Sequence, residues 1–204
     1  ELSEQTKKLP RVIPIDKAAQ TDIRTLAKTE ERPNAVRRTG SDLYRLMYTS
    51  GTTDHPKGVI HQYDNFYWKT MDQSVALQQS ARDKLLVVGP MYHVGGIDLP
   101  GVGVLWMGGS MVIHRDFEPE STLKSIQDEQ INCAWFAPVM TNMLLNFTER
   151  DRYDVSSLQW CIGGGERTPE SRIRDFTELF TNSRYIDAYG LTESFGGDTL
   201  MKTG

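Results

Sequence analysis

From Ser41 onward, apolar runs of strand length alternate with segments of helical period, and no other feature limits the fold of this chain as much. Strands separated by crossover helices make a largely parallel sheet with helices on its faces. The strand-length runs are Leu43 to Thr49, Gly58 to His61, Lys84 to Val88, Ser110 to His114, Asn132 to Phe136, Leu158 to Ile162 and Arg184 to Ala188. Between them, Asp64 is placed to cap a helix through Phe66, Met71 and Val75 to Leu77, and Pro119 opens one carrying Leu123 and Ile126. Pro138 opens a third with Met140, Met143, Leu144 and Phe147, and Pro169 a fourth through Ile173, Phe176 and Phe180. The predicted fold class is therefore α/β over residues 41–204. Residues 1–40 are polar and read as a connecting arm, with one helix-like patch from Ala18 to Lys28.

Composition narrows the function classes. A chain of 204 residues, 38% hydrophobic and 25% charged, can bury one sizeable core. Its formal charge of -4 supplies no long-range attraction to a phosphate backbone, so nucleic acid is not an expected partner. The greasiest run, Leu85 to Val88, stops at Gly89-Pro90, far short of a membrane-spanning length. Cys133 and Cys161 lie far apart within apolar runs, which predicts buried free thiols and a reducing, cytoplasmic setting. The four histidines show no i,i+4 pair and no cysteine partner, so no transition-metal site is expected. The start at Glu1, without methionine or an apolar leader, is expected of an internal piece of a longer protein.

Ligands of open parallel sheets bind beyond the carboxyl ends of the strands, where three unusual segments fall. The first, Tyr48-Thr-Ser-Gly-Thr-Thr-Asp-His-Pro-Lys-Gly-Val59, is rich in hydroxyls and glycine and is closed by a lysine. Successive backbone N–H groups in such a loop can cradle an anion, and Lys57 adds a point charge for phosphate oxygens. It differs from the common nucleotide-binding loop, because Pro56 stands where that motif has glycine and Gly58 where it has Ser or Thr. The second is Gly89-Pro-Met-Tyr-His-Val-Gly-Gly-Ile97; the third combines Ile162-Gly-Gly-Gly-Glu-Arg167 with Asp187-Ala-Tyr-Gly-Leu-Thr-Glu193. Glycines allow close backbone approach to a flat ring, a tyrosine can stack on a purine, and a carboxylate beside a hydroxyl can ligate magnesium.

These segments, in this order, resemble the signature motifs of the ATP-dependent, AMP-forming superfamily that contains acyl-CoA synthetases, luciferases and nonribosomal adenylation domains. The resemblance implies a subdomain of the larger N-terminal domain of an adenylate-forming enzyme. It also implies ATP, magnesium and coenzyme A as cofactors and a small carboxylic acid as substrate. By matching position, Thr49, Ser50, Gly51, Thr52, Thr53 and Lys57 would follow the β- and γ-phosphates, with Asp54 departing from the family's Gly or Ser. Tyr189 and Gly190 would meet adenine, Asp187 would accept from its amino group, and Gly164, Gly165 and Glu166 would line the other side of the purine. Arg167 replaces the proline usual in the family. Thr192 would touch the α-phosphate, Glu193 would hold magnesium, and His93 would steady charge on the reacting carboxylate.

Among the branches, the motifs at 89–97 and 191–200 are most similar to fatty acyl-CoA ligases. Aryl- or succinylbenzoate-CoA ligases, or a non-catalytic nucleotide-binding module, are the alternatives. Full-length members extend beyond this chain on both sides, so those regions are expected partners and the isolated chain is expected to be inactive.

Overall fold

The computed structural model describes residues 36–50 and 55–202. The expected helix-like patch from Ala18 to Lys28, most of the expected arm and loop residues 51–54 lie outside that description. Contacts group the chain into residues 1–37 and 38–204, and all that follows concerns the second unit.

The unit opens with strand β1 (Leu43–Thr49) and strand β2 (Lys57–Gln62), followed by helix α1 (Tyr63–Leu77) and β3 (Lys84–Val87). A π-helical segment, Val94–Val102, kinks at Leu99 and runs into the short α2 (Gly103–Trp106). Next come β4 (Ser110–Ile113), α3 (Pro119–Glu129), β5 (Cys133–Phe136) and α4 (Pro138–Asn146). The unit continues through β6 (Trp160–Gly164), α5 (Glu170–Leu179), β7 (Arg184–Tyr189), a 3-10 turn at Thr192–Ser194 and β8 (Thr199–Lys202).

Among the described residues, six strands form one sheet in the order β4-β3-β5-β6-β7-β8. All neighbours are parallel except β8, which runs antiparallel to β7. Side chains alternate between the two faces, so both must be covered by apolar elements. Leu86, Ala134, Phe136, Cys161 and Tyr185 pack on one side with Leu123 of α3, Leu144 of α4 and Phe176 of α5. On the other side Leu85, Val87, Cys133, Trp135, Trp160, Ile162 and Ile186 meet Leu77 of α1, Leu99 of the π-helical segment and Val104 of α2. Both cysteines are free and buried, and burial raises both thiol pKa values far above their ordinary range. Their depth suits packing rather than reactivity.

The α/β class stands as expected, with local corrections. The first two predicted strands do not join the parallel sheet. They pair antiparallel as a separate hairpin, because only a short loop joins them and a parallel crossover needs about a dozen residues or more. Helix α1 begins at Tyr63 after Gln62, whose N–H donates to the Asn65 side chain at 3.1 Å; Asp64 sits in the first turn instead of capping it. An acidic residue there still complements the helix dipole. Pro169 precedes the first turn of α5 rather than occupying it. The sequence predicts neither the 94–106 helical stretch, whose glycines and Pro100 argue against regular helix, nor β8, whose short run is fixed by pairing to β7.

Candidate functional site

Thr49 and Lys57, which flank the central part of the phosphate-type segment, pair with each other at one end of the hairpin. Along β2, residues 57, 59 and 61 share one face, and the β1 partners of that face are Thr49, Met47 and Arg45. Its base is fixed by charge and hydrogen bonding. The Arg45 guanidinium forks onto the carboxylate of Asp98 at 3.2 and 2.5 Å and also donates from Nε to His61 Nδ1 at 3.0 Å. With Nδ1 accepting, the neutral imidazole carries its proton on Nε2, which donates to the Thr192 carbonyl at 2.7 Å. Burial lowers the His61 pKa, consistent with that neutral ring. Burial also raises the Asp98 carboxyl's affinity for protons, opposed by Arg45.

This tie seats the inner face of the hairpin on the turn at Thr192–Ser194. Lys57 shares the face of His61 four residues along the strand, roughly 13 Å away. Lys57 and Ser50 are exposed and Thr49 is half-buried. Gly51, Thr52 and Thr53 lie outside the described residues. The turn closes on Phe195, which adopts a left-handed conformation (φ 63°). That conformation costs a non-glycine residue about 1–2 kcal/mol. The ring is held by stacking on His61 (centroids 3.8 Å apart) and by the Arg45 guanidinium 4.8 Å above it.

Two clefts flank the segment 190–197. One is a shallow cleft with room for about 50 Å³, lined by His93, Gly95, Trp135, Gly164, Gly165, Gly190 and the Gly196–Gly197 pair, among others. The π-helical segment after β3, the end of β6 and the loop after β7 meet there. Gly190 is required by close approach: a Cβ on it would stand 2.2 Å from the Gly197 nitrogen. The Gly95 N–H donates to His93 Nδ1 at 3.0 Å, so the neutral His93 ring presents an Nε2–H. His93 as a whole residue is exposed.

The second cleft is formed by Glu193, Ser194 and Phe195 with Asn65, Trp68, Lys69 and Asp72 of α1. Glu193 and His93 therefore line neighbouring clefts and not one common pocket. Tyr189 is 63% exposed at the end of β7. Glu166 is exposed and lines neither cleft. Asp187 is half-buried; burial raises its pKa, opposed by a hydrogen bond from Thr168, whose hydroxyl also lies 3.2 Å from Tyr185 Oη. Among the described residues no group of three or more His, Cys, Asp or Glu could hold a metal ion. A lone carboxylate such as Glu193 fits magnesium that arrives bound to nucleotide phosphates, since magnesium is typically held by one or two carboxylates plus substrate oxygens.

A family model described as AMP-binding enzyme matches residues 1–203. The chain belongs to the AMP-binding enzyme family. Its relatives within the family include a long-chain-fatty-acid–CoA ligase, FadD13, of Mycobacterium tuberculosis, 29% identical over 82% of this chain and 33% of that protein. A feruloyl-CoA synthase of Amycolatopsis is 26% identical over 78% of this chain and 32% of its own length. A 2-succinylbenzoate–CoA ligase of Bacillus licheniformis is 29% identical over 75% and 31%. The chain thus spans about a third of the length of these curated relatives. Among solved structures, the inhibitor-bound N-terminal domain of FACL13 from Mycobacterium tuberculosis superposes with a TM-score of 0.79 at 28% identity, covering 89% of this chain and 45% of that one. An o-succinylbenzoate coenzyme A synthetase from Bacillus subtilis, in complex with ATP and magnesium, shares the fold at a TM-score of 0.76 and 24% identity, over 88% and 37%.

In this AMP-binding enzyme Trp135, which forms the apolar wall under His93 and Gly95, is not singled out by the motifs, and Gly196–Gly197, within the 191–200 run, closes against Gly190. Arg45 in an apolar strand and Asp98 in an apolar run were visible as charges where none is expected. Such charges are found buried chiefly when paired.

Proposed function

We propose that this chain is the nucleotide- and acyl-gripping portion of a cytoplasmic, AMP-forming CoA ligase that activates a carboxylic acid, a fatty acid by preference. A carboxylate cannot acylate a thiol directly because oxide is a poor leaving group. Attack of the carboxylate on the α-phosphorus of ATP expels pyrophosphate and gives an acyl adenylate, from which the thiol of coenzyme A then displaces AMP. Catalysis of the first step is chiefly positioning and charge neutralisation.

In this reading the hydroxyls and N–H groups of Thr49 to Thr53, with Lys57, hold the terminal phosphates. Tyr189 stacks on adenine, Gly164, Gly165, Glu166 and Gly190 flank it, and Asp187 accepts from its amino group. Thr192 meets the α-phosphate, and His93 donates its Nε2–H to a carboxylate oxygen. Glu193 would hold magnesium, which supplies neutralisation of phosphate charge when bound. The parent regions outside this chain would cover the apolar outer face of the hairpin, where Leu46, Tyr48 and Ile60 are exposed.

The observation that carries the reading is that segment 190–197 borders both clefts while His61 ties the hairpin to the same segment. The direct test is AMP release by the full-length protein with coenzyme A, ATP and a panel of acids. Fatty acids should give the highest kcat/KM. Preference for ferulate or o-succinylbenzoate would replace the fatty-acid assignment by an aryl one, and ATP binding without AMP release from any acid would identify a non-catalytic module. A second expectation concerns the purine: Tyr189→Ala should weaken ATP binding by about 1–3 kcal/mol, roughly 5- to 150-fold, measured by titration calorimetry. Unchanged affinity would remove Tyr189 from the site.

A further inference from the structure

Three charged or polar side chains outside the motifs join three functional loops into one line. Asp98 is buried on the π-helical segment that follows His93; Arg45 and His61 face each other across β1 and β2; Thr192 precedes Glu193. The contacts are continuous: Asp98 carboxylate to Arg45 guanidinium, Arg45 Nε–H to His61 Nδ1, His61 Nε2–H to the Thr192 carbonyl. The first contact joins residues 53 positions apart in sequence, and the last joins residues 131 apart. No local folding rule requires either.

We propose that Asp98, Arg45 and His61 form a positioning relay that sets the Thr192–Glu193 turn from the acyl-side segment. The direction of every hydrogen bond is fixed. Arg45 has no acceptor, so His61 must accept at Nδ1 and donate at Nε2, where the acceptor is the main chain one residue before Glu193. The 3-10 turn it grips is short and its amides are bonded locally, Phe195 N–H to Thr192 at 3.3 Å and Gly196 N–H to Leu191 at 2.8 Å. A three-residue turn has little stability of its own, so its geometry is imposed by what holds it from outside. Movement of the 94–102 segment would therefore reach Glu193 through two side chains, linking the acid-binding side to the carboxylate proposed to hold magnesium. The catalytic meaning of the relay rests on that proposed metal role; the holding of the turn does not.

The test uses the chain itself, with amide hydrogen exchange and the magnesium dependence of ATP binding as readouts. The amide nitrogen of glutamine reaches the position of Nε2 and keeps the donor to Thr192, whereas the shorter asparagine reaches only the position of Nδ1. His61→Asn and Asp98→Asn should each speed exchange at Ser194, Phe195 and Gly196 and raise the magnesium half-saturation by about tenfold, while His61→Gln stays within about threefold on both, magnitudes typical of residues that orient a metal ligand. Silence of Asp98→Asn, or equal shifts from the two His61 variants, would overturn the relay. If Asp98→Asn fails to fold, the His61 pair still decides. Magnesium-independent ATP binding by the unaltered chain, with exchange behaving as expected, would instead overturn the metal role of Glu193 and the relay's catalytic meaning with it.

Discussion

Glu193→Ala in the full-length protein should lower ATP–pyrophosphate exchange by about 100-fold or more, the scale expected when a residue that binds or orients a catalytic metal is removed. The side chain is exposed and lines the cleft beside α1, so its loss removes charge without opening the core. The thermal midpoint should stay within a few degrees, because exposed substitutions away from structural features typically cost within about 0.5 kcal/mol. Glu193→Asp should recover part of the rate at raised magnesium, since it keeps the ligand type with a shorter reach. Exchange at the unaltered rate in Glu193→Ala would place the metal elsewhere.

Trp135→Ala has the largest expected effect on stability. The indole lies in the core face shared with Leu85 and Ile162, only 9% exposed, and its ring is the surface against which Gly89 and Gly95 are packed. A Cβ on Gly95 would come within 2.7 Å of that ring, so the His93 loop and the tryptophan are fitted to each other. Deleting a buried ring of this size costs about 3–5 kcal/mol, partly through the cavity it leaves. For a chain of this length that corresponds to a fall in Tm of roughly 6–20 °C, measurable by calorimetry. Trp135→Phe should lose less stability, about half or under, while still widening the cleft floor. A Tm unchanged in Trp135→Ala would show that the wall under His93 is not part of the packed core.

Much of this architecture was legible in the sequence, and the reason is physical. Strands buried on both faces, such as Cys133–Phe136, read as unbroken apolar runs, and the prolines at 119 and 138 mark helix starts that the structure keeps. The motifs also fell at the carboxyl ends of β3, β6 and β7, as an open parallel sheet requires. What sequence reasoning missed depends on distant pairing. The separation of the β1–β2 hairpin from the main sheet, the strand at Thr199–Lys202 and the division of the site into two clefts follow from which elements pack together. The Asp98–Arg45–His61 line belongs to the same class: Arg45 and Asp98 stand out as charges in apolar runs, but only the fold shows that they pair with each other and with His61. Thr168, which bonds Asp187 beneath the motif, is likewise silent in sequence.

The central claim is that the hairpin, the cleft beside His93 and the turn at Glu193 serve one Mg-nucleotide. Its most direct test is a titration of the isotopically labelled 204-residue chain with Mg-ATP, followed by amide chemical shifts. We expect concerted shifts, with a single dissociation constant, at Lys57, Gly164, Gly190 and Glu193, smaller for Mg-GTP if the purine is read at Asp187. Shifts confined to one of these loops, or separate constants for each, would contradict the claim.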